Sequence, residues 1–197
     1  MSVPTFVDLQ GFLIGKKFIV KEFAALEKGT LVSHYTFTSP APWIALTKFE
    51  RSCASWLTAY HHGLLWEDGA IPYSAMRLLV TQAVFGDKTT DDAPIVVYVK
   101  GLEKRNWLRD MLLDDQRERV RIETLDAVYE DVESLKRMNA TAAPRCARHG
   151  RDCVAVDALP YDRPDRHEWC VKHDNFLCAL QNVFKLYNWW SRREKNK

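Results

Sequence analysis

Cysteine and histidine residues are concentrated near the C-terminal end of this 197-residue sequence. Four of its five cysteines and three of its six histidines fall between positions 146 and 178. The segment contains Cys146, His149, Cys153, His167, Cys170, His173 and Cys178. Because thiolate sulfur and imidazole nitrogen are the preferred ligands of structural zinc, this composition predicts a bound zinc ion.

The spacing of these residues restricts which of them can share one ion. Cys146 is followed three residues later by His149. Cys170 and His173 repeat this spacing, and Cys178 follows five residues after His173. We expect a tetrahedral set of Cys146, Cys170, His173 and Cys178, with His149 as an alternative fourth ligand. The competing interpretation is that Cys178 is an ordinary core thiol, since free cysteines are among the most buried residues.

Two groups of basic residues could contact phosphate. Lys100, Lys104 and Arg105 lie close together in the sequence, and residues 191–197 form a basic tail. The net charge of +2 is too small to indicate a nucleic-acid partner by itself, because phosphate binding depends on local clustering of positive charge. We take Lys100, Lys104 and Arg105 as candidate nucleic-acid contacts, although such groups are more often solvated surface.

Histidine and tryptophan residues outside the C-terminal segment offer further candidate sites. His61 and His62 precede Glu67 and Asp68, which would suit acid–base chemistry, but a histidine pair at a helix end has an electrostatic explanation. Some aromatic residues could stack on bases, although such residues fill cores more often. The candidates for stacking are Trp66, Trp107, Trp189 and Trp190.

The N-terminal sequence bears on the compartment. Residues 1–10 have neither a basic segment nor an apolar run, so no secretory signal is expected. An odd number of cysteines also fits thiols or metal ligands better than a disulfide framework. We therefore expect an intracellular protein, cytoplasmic or nuclear, that does not enter a membrane.

The positioning elements follow from hydrophobic periodicity. Residues 4–12, 17–23 and 31–37 have the composition of strands, and Gly15 and Gly29 mark the turns of an antiparallel meander. The later elements are predicted as helices 44–62, 73–84, 102–113, 129–138 and 174–190, and as strands 94–100 and 120–125.

This order predicts an α/β fold with a mixed sheet flanked by helices. The sheet combines the three-stranded meander with two further strands. Residues 139–169 lack periodicity, and a loop of this length in a compact domain needs a stabilising feature such as zinc. We expect a single domain over residues 1–190, a zinc-binding segment over 146–178, and the basic tail after it.

The order of elements resembles the ribonuclease-H-like fold of the DEDDh 3′-5′ exonucleases. That family places Asp-x-Glu on the first strand, further aspartates on the middle elements and His-x4-Asp at the last helix. Its four carboxylates hold two Mg²⁺ ions, and its histidine activates water. The resemblance implies a site at the centre of the sheet.

Only part of that motif set is present in this chain. Asp8 matches the first acid, whereas Gln10 stands at the glutamate position. Lys100 brings a cation to the middle motif, and His173 keeps its spacing to a position where Cys178 replaces the aspartate. A thiolate is a poor Mg²⁺ ligand, so the match implies a degenerate centre.

The C-terminal residues are similar to the MAEL domain of Maelstrom, a ribonuclease-H-like domain with a Glu-Cys-His-Cys zinc set. Cys170, His173 and Cys178 resemble its Cys-x-x-His and following cysteine, with a shorter spacing between histidine and cysteine. The resemblance implies Asp8 as another alternative fourth ligand. The opening Phe-Val-Asp-Leu-Gln-Gly-Phe also resembles a group of arthropod proteins linked to mobile elements.

These observations lead to three functional hypotheses. The first is a catalytically degenerate, zinc-stabilised domain that binds RNA, single-stranded DNA or a protein partner in a silencing or mobile-element context. The second is an active 3′-5′ exonuclease or ribonuclease that uses Asp8, a second acid such as Glu22 or Glu103, and His173 as the base. The third is a protein–protein interaction module whose basic helix 102–113 contacts an acidic protein.

Overall fold

The chain forms an open five-stranded mixed sheet with helices on both faces. The computed structural model describes residues 3–86, 94–138 and 178–196. The strands are β1 (Thr5–Ile14), β2 (Lys17–Glu27), β3 (Leu31–Thr36), β4 (Ile95–Val99) and β5 (Val120–Thr124), in the spatial order β3-β2-β1-β4-β5. β1, β2 and β3 pair antiparallel, whereas β4 and β5 extend the sheet from β1 in parallel. The predicted α/β class and mixed sheet are confirmed, and this topology is compatible with a ribonuclease-H-like fold.

Helices cover the sheet. They are α1 (Lys48–Leu57), which continues as a π-helical turn (Thr58–His62), α2 (Met76–Phe85), α3 (Leu102–Met111), α4 (Asp114–Arg119), α5 (Leu125–Val128) and α6 (Ala179–Lys195), with 3₁₀ turns at Trp43–Ala45 and Tyr73–Ala75. No helix in the described ranges is both long enough and apolar enough to cross a membrane.

The predicted helix over residues 129–138 is wrong. The chain forms only the single turn of α5 before this segment and then continues in turns. Tyr129, Val132, Leu135 and Met138 nevertheless pack against the same core cluster. Their three-residue spacing therefore reflects burial on one side of a turning segment, which periodicity cannot distinguish from a helix.

The C-terminal helix ends five residues later than the sequence indicated, and Cys178, predicted within it, is its extended N-terminal cap. α6 continues through Lys195, so residues 191–195 of the predicted basic tail are its last turns. Arg192, Arg193 and Lys195 lie there, where cations interact favourably with the carbonyl end of the helix dipole. Residues 174–177 of the predicted helix lie outside the described residues.

A β-bulge fixes the register of the long β1–β2 hairpin. Gln10 pairs with Glu22 but Gly11 pairs with Val20, so Lys21 is the extra residue on β2. A side chain at position 11 could not be accommodated, because a Cβ there would lie 2.1 Å from the backbone oxygen of Ile19.

The bulge places the Lys21 side chain in a buried position. Its ammonium donates to Ser39 Oγ and to the backbone oxygens of Trp66 and Asp68. Burial lowers the pKa of Lys21 to about 8, although nearby acidic residues raise it. This lysine ties the hairpin to the loop that follows α1.

Alternation along β1 separates two apolar layers. Val7 and Leu9 face the layer covered by α2 and α3, and Phe6 faces the layer covered by α6. Phe12 lies farther along β1 in a third cluster that packs against α1 and the loop after it. Between Phe6 and Phe12, on the same side of the strand, stand Asp8 and Gln10. The strand thus places polar residues between two apolar clusters.

Candidate polar centre on the sheet

Three polar side chains form the base of the candidate site. Asp8 and Gln10 lie on β1, and Glu22 lies opposite Gln10 on β2. Asp8 and Glu22 are fully buried and Gln10 nearly so. Burial of two carboxylates is unfavourable unless donors or positive charge surround them, so their neighbours determine what the centre can do.

Donors from three elements surround the Asp8 carboxylate. Lys104 of α3 forms an ion pair with Oδ1, and the lysine side chain is itself only 15% exposed. Asn182 of α6 donates its Nδ2 to Oδ2 at 2.8 Å, and Gln10 donates to the same oxygen at 3.2 Å. Both oxygens of the buried carboxylate therefore face protein donors, one of which is a cation.

Strand geometry explains how Lys104 reaches Asp8. The ladder between β1 and β4 includes only Thr5 with Val97 and Phe6 with Tyr98, and β4 ends at Val99. The sheet therefore ends on that side of β1 near the level of Asp8. α3 begins at Leu102, so its first turn carries Lys104 back to the carboxylate.

The motif comparison assigned the cation of the middle motif to Lys100, whereas the cation beside Asp8 is Lys104. Lys100 instead pairs with Asp126, which also accepts from the backbone N–H of Gly101. Arg105 donates its Nε to the backbone oxygen of Ile122 at 2.9 Å. Each of the three candidate nucleic-acid contacts, including Lys104, thus has an internal partner.

Glu22 interacts with the first residues of α6. Its Oε2 accepts from the backbone N–H of Ala179 at 3.2 Å, and its Oε1 lies 3.4 Å from the Sγ of Cys178. His34 of β3 places its Nε2 2.9 Å from the same Oε1. A carboxylate beside the first N–H groups of a helix is favourable, because those groups have no intrahelical acceptor.

The predicted zinc site can be followed only in part. Cys146, His149, Cys170 and His173 lie outside the described residues. Cys178 is buried at the N-terminal cap of α6, and its nearest described acid is Glu22, whereas Asp8 is directed at Lys104 and Asn182. Within residues 3–86, 94–138 and 178–196, no group of three or more His, Cys, Asp or Glu side chains is arranged as a metal site.

Asn182 is the member of the centre that the sequence analysis missed. It is fully buried, and its Oδ1 has no hydrogen-bond partner among the described residues. The available signal was a polar residue between apolar Leu180 and Val183 on the buried side of the last helix. Such a residue needs a buried partner, and Asp8 provides one.

Basic groups lie near this centre. His61 follows α1 in the π-helical turn, and burial together with the positive charge of Lys104 lowers its pKa, while Asp8 opposes this shift and Lys136 adds to it. Burial lowers the pKa of Lys185, which lies near Cys178 and Asp8. We call Lys136 and Lys185 the basic rim; the lowered pKa leaves His61 uncharged at neutral pH. Since Lys104 neutralises Asp8, these two lysines add positive charge near the centre.

The second histidine of the pair has a structural role. His62 is fully buried, its Nε2 lies 3.0 Å from the backbone oxygen of Gly11, and its Nδ1 accepts from the backbone N–H of Leu64. These contacts require a neutral imidazole that donates from Nε2. His62 therefore stabilises the bulged hairpin.

The four tryptophans considered for base stacking are mostly packed inside. Trp66 is buried and donates to the backbone oxygen of Ala41, and Trp107 stacks on Phe18 with ring centroids 3.9 Å apart. Trp189 is buried in the α6 layer, where Trp190 packs against it. These rings are part of the core.

One surface cavity lies away from the polar centre. It measures about 450 Å³ and is lined by Trp189 and by Arg192, Arg193 and Asn196 near the C-terminal end of α6, with Glu133 opposite. Asn182 lies near the other end of the helix. Arg193 is already paired with Asp131 and lies over the rings of Tyr129 and Trp189, so the guanidinium in the cavity wall is engaged within the protein.

The centre is therefore a carboxylate pair with separate environments. Asp8 is neutralised by a lysine, and Glu22 is bound to the N-terminus of α6 and to His34. This arrangement supports stable packing of α6 on the sheet. No protein-family model matches the sequence, and no curated protein matches it either.

Proposed function

We propose that this domain binds single-stranded nucleic acid, RNA or DNA, without cleaving it. The observation that carries the proposal is the buried ion pair between Lys104 and Asp8. A carboxylate that holds a catalytic Mg²⁺ must direct its oxygens at the ion. Here an ammonium group and two amide groups already occupy those directions, which supports a centre that has lost the metal chemistry of the exonucleases it resembles.

The basic rim supports the binding part of the proposal. Lys136 and Lys185 lie near a centre in which Lys104 neutralises Asp8, so phosphate groups would meet two further cations there. Electrostatic attraction of this kind provides most of the affinity of sequence-independent nucleic-acid binding. A role in silencing or in the control of mobile elements is proposed from the resemblance alone.

We further propose that zinc stabilises the domain through Cys146, Cys170, His173 and Cys178. Cys178 supports this part because it is buried at the start of α6, against the sheet. The donors are the sulfur and nitrogen types that zinc prefers. When bound, the ion would act as a structural cross-link and would take no part in a reaction.

Binding and cleavage are tested on the same labelled single strands. We expect the protein to bind them in EDTA and to leave them intact with Mg²⁺ or Mn²⁺. Lys136→Ala and Lys185→Ala should each weaken binding, since each removes one phosphate contact. Each should also reduce the slope of log affinity against log salt concentration by about 1. Arg77→Ala is the charge-matched control, because Arg77 is exposed on α2 against the opposite face of the sheet.

Two results would contradict the proposal. Mg²⁺-dependent degradation that Asp8→Asn abolishes would establish the active nuclease. Absence of binding even at low salt, together with binding to an acidic protein, would favour the interaction module.

A further inference from the structure

Strand β3 is one edge of the sheet, and its backbone groups alternate between the β2 side and the outer side. Phe37, directly after the strand, donates its N–H to the backbone oxygen of Lys21 on β2 at 2.8 Å. Neighbouring residues of a strand direct their backbone groups to opposite sides, so Thr36 faces outward, and so do Val32 and His34. The outer side of β3 therefore presents the N–H and C=O groups of Val32 and His34.

The open part of this edge is limited at both ends. At its far end, the outward oxygen of Thr36 accepts from the backbone N–H groups of residues 70 and 71, each at 3.0 Å. At its start, the chain comes out of a tight turn from β2, in which the N–H of Thr30 donates to the backbone oxygen of Glu27. Within the described ranges, no segment forms a ladder with the outer side of residues 31–35.

β3 lacks the features that usually keep strand edges from pairing. Its sequence, Leu-Val-Ser-His-Tyr-Thr, contains no lysine, arginine, acid or proline, and Leu31 is 57% exposed. The opposite edge, β5, carries the ion pair between Arg121 and Glu123. Arg105 of α3 also donates to the backbone oxygen of Ile122 on that strand. One edge of the sheet is therefore protected by charge, whereas the other is open and uncharged.

We propose that β3 pairs with β3 of a second copy of the chain, antiparallel and two-fold symmetric about Ser33, so that two sheets join into one. In this register Val32 of each copy lies opposite His34 of the other, and the two residues exchange both backbone hydrogen bonds. The exposed Leu31 lies opposite Tyr35 of the second copy, an aliphatic–aromatic pair of the kind that stabilises sheets. This interaction does not depend on the proposed nucleic-acid binding.

The length and charge of the open edge favour a second copy over an unrelated extended segment. A segment that continued past Thr36 would meet residues 70–71, whereas the chain of a second copy turns away before Leu31 at its own β2–β3 turn. Because β3 has neither a basic residue other than histidine nor an acid, self-pairing places no lysines, arginines or acids opposite each other. A two-fold axis perpendicular to the sheet also keeps α6 of both copies on the same face.

Charge exchange at the two-fold axis tests the pairing. The half-buried Ser33 lies opposite its own counterpart, so Ser33→Lys brings two lysines together and Ser33→Glu brings two acids together. In sedimentation velocity we expect a dimer for the wild-type protein and a monomer for each variant. An equimolar mixture of the two variants should dimerise again, because each lysine then meets a glutamate. Leu102→Lys is the control: Leu102 is 61% exposed on α3, toward the other edge of the sheet, and the dimer should persist.

Amide hydrogen exchange measures the backbone pairing directly. The outward N–H groups of Val32 and His34 should exchange about tenfold more slowly in the wild-type dimer than in monomeric Ser33→Lys. The N–H of Tyr35, which faces β2, should exchange at a similar rate in both proteins.

Four results would overturn the proposal. A wild-type protein that is monomeric at micromolar concentration has no such interface. A dimer that Ser33→Lys leaves intact is held by another surface. Failure of the mixed Ser33→Lys and Ser33→Glu variants to associate excludes pairing about Ser33. Slow exchange of Val32 and His34 in a monomer means that the edge pairs within its own chain.

Discussion

At the scale of single residues, the centre of this protein is defined by a lysine in contact with a buried aspartate. Asp8 is fully buried, and Lys104 reaches it from a helix 96 positions later in the chain. An ammonium group carries the charge that a carboxylate at this depth requires, and it does so without the coordination geometry of a metal ion. The same two residues thus account for both the stability of the centre and its proposed lack of metal chemistry.

The Asp8–Lys104 pair should show strong energetic coupling. Lys104→Met leaves a buried carboxylate without its cation, and we expect a loss of about 3 kcal/mol in the free energy of unfolding. Asp8→Asn should lower the free energy of unfolding by less, because the partly exposed lysine can turn toward water. The double variant should be more stable than the sum of the two single effects predicts, which urea unfolding of all four proteins will measure. Additive effects would show that the pair is not coupled.

At the scale of elements, the hairpin of β1 and β2 positions the centre. Its bulge places Lys21 in a buried network and keeps Glu22 opposite Gln10, on the side that α6 covers. α6 then contributes Cys178 and Asn182 from its first turn and the preceding cap. A change in the register of the hairpin would therefore separate the acids from their donors.

The bulge should be sensitive to a single methyl group. In Gly11→Ala the added Cβ would lie 2.1 Å from the backbone oxygen of Ile19, and a backbone atom cannot move without opening the ladder. We expect the free energy of unfolding to fall by about 3 kcal/mol. Gly15→Ala is the control, since its Cβ meets no atom within 4 Å and only its positive φ is unfavourable, by about 1 kcal/mol.

Urea denaturation of the two glycine variants gives the comparison. If Gly11→Ala and Gly15→Ala lower the free energy of unfolding equally, the bulge tolerates a side chain and another feature sets the register.

At the scale of the whole molecule, the question is what holds α6 against the sheet. Its apolar side packs on Phe6, Ala24 and Leu26, and its polar start contacts Asp8 and Glu22. A zinc ion held by Cys178 and by residues before α6 would add a cross-link to this layer. The polar contacts and the metal would then stabilise the same end of the helix.

The zinc proposal predicts stoichiometric metal in the purified protein. We expect elemental analysis to find about one zinc ion per chain, and Cys170→Ser and Cys178→Ser to lower both the zinc content and the thermal midpoint of unfolding. Cys53→Ser should change neither, because Cys53 lies on α1 among the aromatic residues, away from Cys178. Zinc-free protein with an unchanged thermal midpoint would disprove the structural metal.

Local sequence patterns anticipated much of the fold. Alternation and turn glycines predicted the meander, and the apolar run at residues 95–99 predicted a strand inside the sheet. The prediction failed at residues 129–138, where spacing suited to a helix serves a turning segment. Asp8 was identified as a candidate through its motif, and it lies at the centre of the polar cluster.

By itself the sequence determined the α/β class, the meander, the candidate acid at Asp8 and the expectation of a zinc site. Tertiary structure alone decided that Lys104, and not Lys100, neutralises Asp8, that Asn182 joins the centre from 174 positions away, and that the aromatic side of α1 faces outward. The reason is physical. Periodicity reports which residues share a face of one element, whereas contacts across the chain depend on where strands end and on which face another element covers.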